Sequence, residues 1–302
     1  MRWQKKLVAI GLLLSLVLAV TYNLHGKNNM ITMQDYPSTV EVTIGQQGSS
    51  WQAQYGKIVN TNGKNVGLSF YTIDPDSKKT TTTAIINSGT IKTTISNAMS
   101  IMATEDRDRH NGFTQIDVSA KINNGGEIPH DTARLYIWNL IQNLKKIGWR
   151  HYNYLSDARL KGKFAFDYYK NSSNDPDYAL SLQEWMSADA PFTWKFYADH
   201  TYLNLKVDRD STLLDPNKPG AYFISITFMP LEEVERLSVD EPDRNQWRST
   251  WVQRAMQQRS ERNVSEAKLR AQGIPIDTDY KDPPLPPAPS GQENPIIPDS
   301  LK

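Results

Sequence analysis

The run Glu105-Asp106-Arg107-Asp108-Arg109-His110 is the densest set of charged and ionisable side chains in the body of the chain. Carboxylates beside an imidazole can hold a metal ion or pass protons. Such a site needs partners brought in by other elements, and spacing inside one loop does not supply them. The mixture of acids and arginines equally describes a solvated loop between two strands, its charges compensating one another. A third reading makes it a docking loop for another protein. Asp199 and His200, in the turn of an expected hairpin, join Glu105, Asp106 and Asp108 as the residues expected to touch a protein partner.

Other constellations carry less. Ser173, Asp175, Asp177, Ser181 and Glu184 fall at the first, third, fifth, ninth and twelfth places of a calcium loop. Ser173 stands where an acid is usual, however, and Tyr178 where a glycine makes the sharp turn. The same stretch reads as an ordinary turn, Asn174-Asp175-Pro176-Asp177, leading to a helix capping box, Ser181-Leu182-Gln183-Glu184. The histidines His25, His110, His130, His151 and His200 never take His-x-His or His-Glu-x-x-His spacing, so zinc hydrolysis has no local support. The sequence lacks Gly-x-Ser-x-Gly, the phosphate loop Gly-x-x-x-x-Gly-Lys-Ser/Thr and the dinucleotide signature Gly-x-Gly-x-x-Gly, and without cysteine it has no thiol nucleophile. The expectation is no catalytic residue, no metal and no cofactor. A scattered acid pair, as in glycoside hydrolases, is an enzymatic design that leaves no short motif.

The formal charge is +1 over 302 residues, 34 Lys+Arg against 33 Asp+Glu, which gives no electrostatic case for nucleic acid. Charge is informative only at the start, where Arg2, Lys5 and Lys6 precede an apolar run from Leu7 to Val20. That is the layout of an export segment whose positive end stays in the cytoplasm. A run of 14 residues has the length of a signal-peptide core, cleaved near Ala19. Extended through Thr21, Tyr22, Asn23 and Leu24 it reaches 18 residues and can cross a hydrocarbon core of about 30 Å. Residues 1–24 are therefore a signal anchor or a signal peptide. The expected location is the inner membrane, single pass through residues 7–24, with the domain in the periplasm, or the free periplasm after cleavage. Without cysteine, neither a lipidated N-terminus nor a disulfide is available.

These residues need a scaffold, and the hydrophobic periodicity predicts one. Residues 25–37, with Gly26, Asn28, Asn29 and Pro37 and no apolar period, form a linker. Residues 38–240 read as an α+β domain, strand-rich over 38–125 and mixed over 126–240. Val40, Val42 and Ile44 alternate with polar residues, and further strands are predicted over Trp51–Val59, Val66–Ile73, around Ala84–Ile86 and over Gly112–Ile122. A helix is predicted from Asp131 to Ile147, with Leu135, Trp138, Ile141 and Leu144 as its apolar stripe and Gly148 as its stop. A strand over Trp149–Leu155 and short helices near Lys163–Lys170 and Leu182–Ser187 follow. After them come a hairpin, Thr193–Tyr197 with Tyr202–Val207, and a strand over Ala221–Met229. Short connections require antiparallel pairing, so the expected fold is a mainly antiparallel sheet with one long central helix packed on it. Residues 241–273 are a helix docked by Trp247 and Trp251. Residues 274–302, with eight prolines, read as an extended, disordered tail in which Lys281-x-x-Pro284-x-x-Pro287 fits the register of a polyproline ligand.

Two stretches, Trp194-Lys195-Phe196-Tyr197-Ala198-Asp199-His200-Thr201-Tyr202-Leu203-Asn204-Leu205 and Leu214-Asp215-Pro216-Asn217-Lys218-Pro219-Gly220-Ala221-Tyr222, resemble exported proteins encoded beside type VI secretion effectors, among which immunity proteins are found. The resemblance covers residues 130–230 and transfers no functional residue. It implies a periplasm-facing, non-enzymatic protein that binds a secreted effector and blocks it by surface complementarity. The alternatives are an accessory component of an envelope or secretion assembly, with the C-terminal helix and tail as contact arms, and a periplasmic hydrolase.

Overall fold

Alternation of apolar and polar residues at every second position builds most of this protein. In the computed structural model, which describes residues 36–63, 67–123 and 126–301, that alternation yields a ten-stranded sheet. Its strands are β1 (Thr39–Thr43), β2 (Asn60–Asn62), β3 (Leu68–Ile73), β4 (Thr82–Ser88), β5 (Ile91–Asp106), β6 (Phe113–Lys121), β7 (Arg150–His151), β8 (Phe192–Ala198), β9 (Thr201–Arg209) and β10 (Tyr222–Pro230). The hydrogen-bonded order is β1-β4-β5-β6-β10-β9-β8-β7, with β3 also on β5 and β2 on β3. Among the described residues every pairing is antiparallel except β1 on β4. The predicted signal anchor or signal peptide over residues 1–24 and most of the predicted linker lie outside the described residues. Among the described residues, no helix is long and apolar enough to cross a membrane.

Strand β5, 16 residues long, serves three neighbours. It does so by bending around the left-handed Asn97 (φ 55), where its register with β4 slips, with a slip against β6 between Ala98 and Ser100. Its first half pairs with β4 and its second with β3 and β6. The bend returns the β4–β5 turn to the β8–β9 turn, where Thr90 Oγ1 donates to Asp199 at 2.8 Å.

The free edge of β1 is closed by side chains. Trp51 Nε1 donates to Glu41 O at 2.9 Å, and Glu41 N donates to Tyr55 Oη at 2.7 Å, which denies that edge to another chain. Both residues belong to helix α1 (Gly48–Tyr55), where the sequence pattern predicts a strand. The helix wins because residues 51 and 55 then lie one turn apart, with rings 5.7 Å apart, so both reach Glu41; a strand would separate them by about 13 Å.

Helix α2 (His130–Lys146) is tied to β10 at both ends. At its start the His130 Nδ1 accepts from Tyr222 Oη, and Nε2–H donates to Asp215 O at 3.1 Å. Just beyond its end Trp149 meets Phe228 edge-on at 5.8 Å and donates Nε1 to Thr93 Oγ1 at 3.0 Å. The buried stripe is His130, Ala133, Ile137, Ile141 and Leu144. It is rotated from the predicted one, and Leu135 is left exposed. Of the strand predicted over Trp149–Leu155 only β7 forms, because the chain then turns away to carry the residues that meet the C-terminal segment.

Helices α3 (Gly162–Tyr169) and α4 (Leu182–Ser187) follow, the latter opened by the capping box: Glu184 N donates to Ser181 Oγ and Ser181 N to Glu184 Oε2. The acids of the calcium-like series go separate ways. Asp175 accepts from Gly162 N, and Asp177 pairs with Lys145. Among the described residues no three His, Asp or Glu side chains gather as a metal ion requires.

Helices α5 (Leu231–Leu237) and α6 (Trp247–Ala271) complete the fold. Trp247 and Trp251 are buried with Ala255 and Leu301. The tail departs from expectation: residues 274–301 are a strap seated on the body. Composition conceals its anchors, which are single residues. Tyr280 bonds to the backbone of Asn153, Asp282 to Arg262 and Arg259, and Leu301 enters the tryptophan cluster.

Candidate interaction surface

Helix α5 brings the two predicted partner loops onto one surface. Its first residue donates Leu231 N to His200 O at 2.7 Å, fixing it to the β8–β9 turn. Further along, Glu233 accepts from Arg109 and from Arg236 (2.6 and 2.9 Å), and Arg236 reaches Asp106 at 3.6 Å. Glu232 lies 3.6 Å from the same Arg109. The β5–β6 connection is thereby strapped along the helix by ion pairs that are largely out of solvent. Hydrogen bonding to Glu233 holds Arg236 above the ordinary arginine range, against the desolvation that opposes it.

The predicted residues divide by role. Glu105 is buried, accepting from Tyr71 Oη at 3.1 Å and from Gly48 N at 3.5 Å, so it is an internal strut and leaves the contact set. Its place near the end of β5, on the inward side of the pleat, decides this. Asp106 is half-buried and committed to Arg236 and to the backbone N–H of Asp108 at 3.1 Å. Asp108 is exposed, as are His110 and His200. Asp199 is exposed too, and Thr90 donates to it from both backbone and hydroxyl; the backbone bond foremost holds this carboxyl below the ordinary range.

Asp199 and His200 form a two-residue turn in which both are left-handed, φ 44 and 61. Tight hairpins require this geometry, and Asn-Gly usually supplies it. His110, in the other loop, is also left-handed at φ 54. The surface therefore presents Asp108, His110, Asp199 and His200 around α5. Arg109, Glu232, Glu233 and Arg236, which organise it, are scattered in sequence. Only the acid-rich first turn of α5 hints at them.

Two other places hold groups with chemical potential. Around Tyr152 and Tyr202 lie Asp157, Lys195 and Glu235. Burial raises the carboxyls of Asp157 and Glu235 and lowers the Lys195 amine, whose Nζ stands 4.5 Å from the Tyr154 ring centre. The cavity beside them is only about 30 Å³, room for a water or two, against the 300 Å³ or more of an ordinary substrate pocket. An open groove of about 530 Å³ runs between the start of α3 and the strap, lined by Lys161, Phe164, Ile276 and Asp277. Its acid Asp277 is occupied by Lys161 at 3.0 Å. Neither place holds two free carboxylates in a cavity of substrate size.

Compared with protein-family models, with curated proteins and with solved structures, the chain matches none.

Proposed function

We propose that this chain is an exported, inner-membrane-anchored binding protein without enzymatic activity, which neutralises a secreted effector by covering it, as an immunity protein does. The observation that carries the reading is the gathering of Asp108, His110, Asp199 and His200 around α5. Three of these residues hold left-handed backbone at loop tips. The turns require that conformation, which costs a residue other than Gly, Asn or Asp roughly 1–2 kcal/mol, so His110 and His200 stand where glycine would serve the fold better. The apolar leader supplies the location. An accessory role in an envelope assembly called on residues 241–302 as free contact arms; with α6 and the strap seated on the body, that reading loses its main support. A hydrolase finds no support in the groove of substrate size, whose Asp277 is tied to Lys161.

The test is capture from envelope membranes by the tagged chain, followed by mass spectrometry, beside Asp108→Lys, His200→Glu and His200→Gly variants. Recovery of one secreted toxin is expected, reduced at least about tenfold by the charge reversals, as for interface residues worth more than 1.4 kcal/mol. His200→Gly should also weaken capture while raising stability by up to about 1 kcal/mol, because glycine accepts the turn. A reporter fused behind Gly26 should be active only outside the cytoplasm. Capture untouched by all three variants defeats the assigned surface, and turnover of a small molecule by the purified chain defeats the whole reading.

A further inference from the structure

The proline run that this function does not use is seated in a cleft of its own chain. The strap leaves α6 at Gly273, whose φ of +77 closes the helix with Gly273 N donating to Arg270 O and Ile274 N to Leu269 O, both at 3.0 Å. Asp277 N donates to Arg159 O at 2.7 Å, and Asn153 N donates to Tyr280 Oη at 2.8 Å. Asp282 then accepts from both terminal nitrogens of Arg262 at 3.0 Å. Next, Pro283–Pro286 form one wall of the small cavity whose other wall includes Tyr152, Leu155, Leu231, Glu235 and Trp251. Leu285 packs on the Trp247–Trp251 cluster. The carbonyl of Pro286 accepts from Asn294 Nδ2 at 2.9 Å, and that of Pro287 from Arg248 Nη2 at 3.4 Å.

This is the chemistry by which proline-rich segments are recognised. Proline fixes φ near −65° and has no N–H, so such a run is extended before it binds and its carbonyls are free to accept. Aromatic walls take the rings, and neighbouring donors take the carbonyls. Here Tyr152 and Trp251 line the cavity with the prolines, and Arg248 provides the donor from the body. Between Ile274 and Leu301 only Pro286 and Leu301 are buried, so the strap is held at a few points and not along its length.

We propose that the cleft formed by α5, α6 and residues 152–155 is a binding site for extended proline-rich peptides, occupied in cis by Pro283–Pro287, and that an outside proline-rich segment displaces the strap. This goes beyond the effector-binding surface; the two share helix α5 but are probed at different residues, Asp108 and His200 for one and Trp251, Asp282 and Leu285 for the other, so either can fail alone.

The test uses the full chain in detergent and a fluorescent peptide with the sequence of residues 279–291. In Asp282→Ala/Leu285→Ser, the amides of Asn153, bonded to Tyr280 Oη, and of Asp277, bonded to Arg159 O, should exchange faster than in wild type, and the peptide should bind at least about tenfold more tightly, since a tethered competitor acts at millimolar effective concentration. Adding Trp251→Ala to that variant should abolish binding, and a peptide with every proline replaced by alanine should not bind. Where the loosened variant loses its circular dichroism, wild type decides: about 1 mM peptide, matching the tethered concentration, should accelerate exchange at Asn153 and Asp277. The proposal is overturned by freeing of these amides without improved peptide binding, by amides that stay protected in a folded loosened variant, by equal binding of the alanine peptide, or by wild-type exchange that peptide leaves unchanged.

Discussion

Glu266→Ala tests how α6 is held. The Glu266 side chain is 1% exposed, and its carboxylate accepts from Arg159 Nε and Nη2 (both 2.8 Å), from Arg159 N (3.1 Å) and from Arg270 Nη2 (3.2 Å). Burial alone pushes this carboxyl up, and the bonds from Arg159 more than reverse it, leaving it below the ordinary range. Truncation removes the acceptor and strands the Arg159 guanidinium, a loss of about 3–5 kcal/mol for a buried pair broken on one side. In a domain of this size that lowers the melting temperature by roughly 6–20 °C. Urea unfolding followed by circular dichroism measures it. A double-mutant cycle with Arg159→Met should return a coupling of about 1–3 kcal/mol, because removing both charges costs less than the two single losses added together. The sign with pH is fixed. A carboxyl depressed in the folded state gives its full stabilisation above its unfolded value near 4.5, and that contribution disappears as the pH falls below it. The gap between wild type and Glu266→Ala should therefore close in acid. A loss under 1 kcal/mol at pH 7, or a gap that does not begin to narrow as the pH falls below 4.5, refutes the strut.

His151 predicts acid sensitivity from the opposite kind of group. Its ring meets Tyr280 of the strap edge-on at 6.1 Å, and burial foremost drives its pKa down to about 4 from 6.5, Asp175 and Asp277 opposing and Lys195 and Lys161 assisting. A histidine kept neutral by the fold costs nothing above pH 6.5 and loses stability progressively between 6.5 and about 4, by about 3 kcal/mol in all. Urea midpoints across that window should fall in wild type and flatten in His151→Phe; parallel curves would remove His151 as the cause. Gly220→Ala places a methyl 2.4 Å from His130 Cε1, so the ring must give way and its link to Tyr222 breaks. A loss of about 1–3 kcal/mol by calorimetry is expected for such overpacking, and an unchanged melting temperature would mean that the His130 ring has room to move.

Much of the scaffold is legible because its signals are local. The period of two in Val40, Val42 and Ile44, the capping box at Ser181 and Glu184, and Gly148 after the central helix each act within a few residues. The sequence pattern fails where a decision is made across the fold. Trp51 and Tyr55 alternate acceptably for a strand, and only Glu41, brought alongside by folding, makes the helix the better choice. Glu105 and Asp108 look alike as letters in one acidic run. The pleat of β5 turns the first to Tyr71, whereas the second lies past the end of the strand, in water. The strap is the extreme case. Its proline content describes a chain with no reason to fold on itself, which is true of the backbone alone. What seats it is the match of Asp282 to Arg262, of Tyr280 to Asn153 and of Leu301 to Trp251. Each pair is separated widely in sequence and has no periodicity, so no window along the chain contains the information. The same reasoning explains why the two charged loops stand out in the sequence while α5, which joins them, does not. Exposed acid and imidazole at a turn mark themselves, whereas Arg109, Glu233 and Arg236 acquire their meaning only from one another.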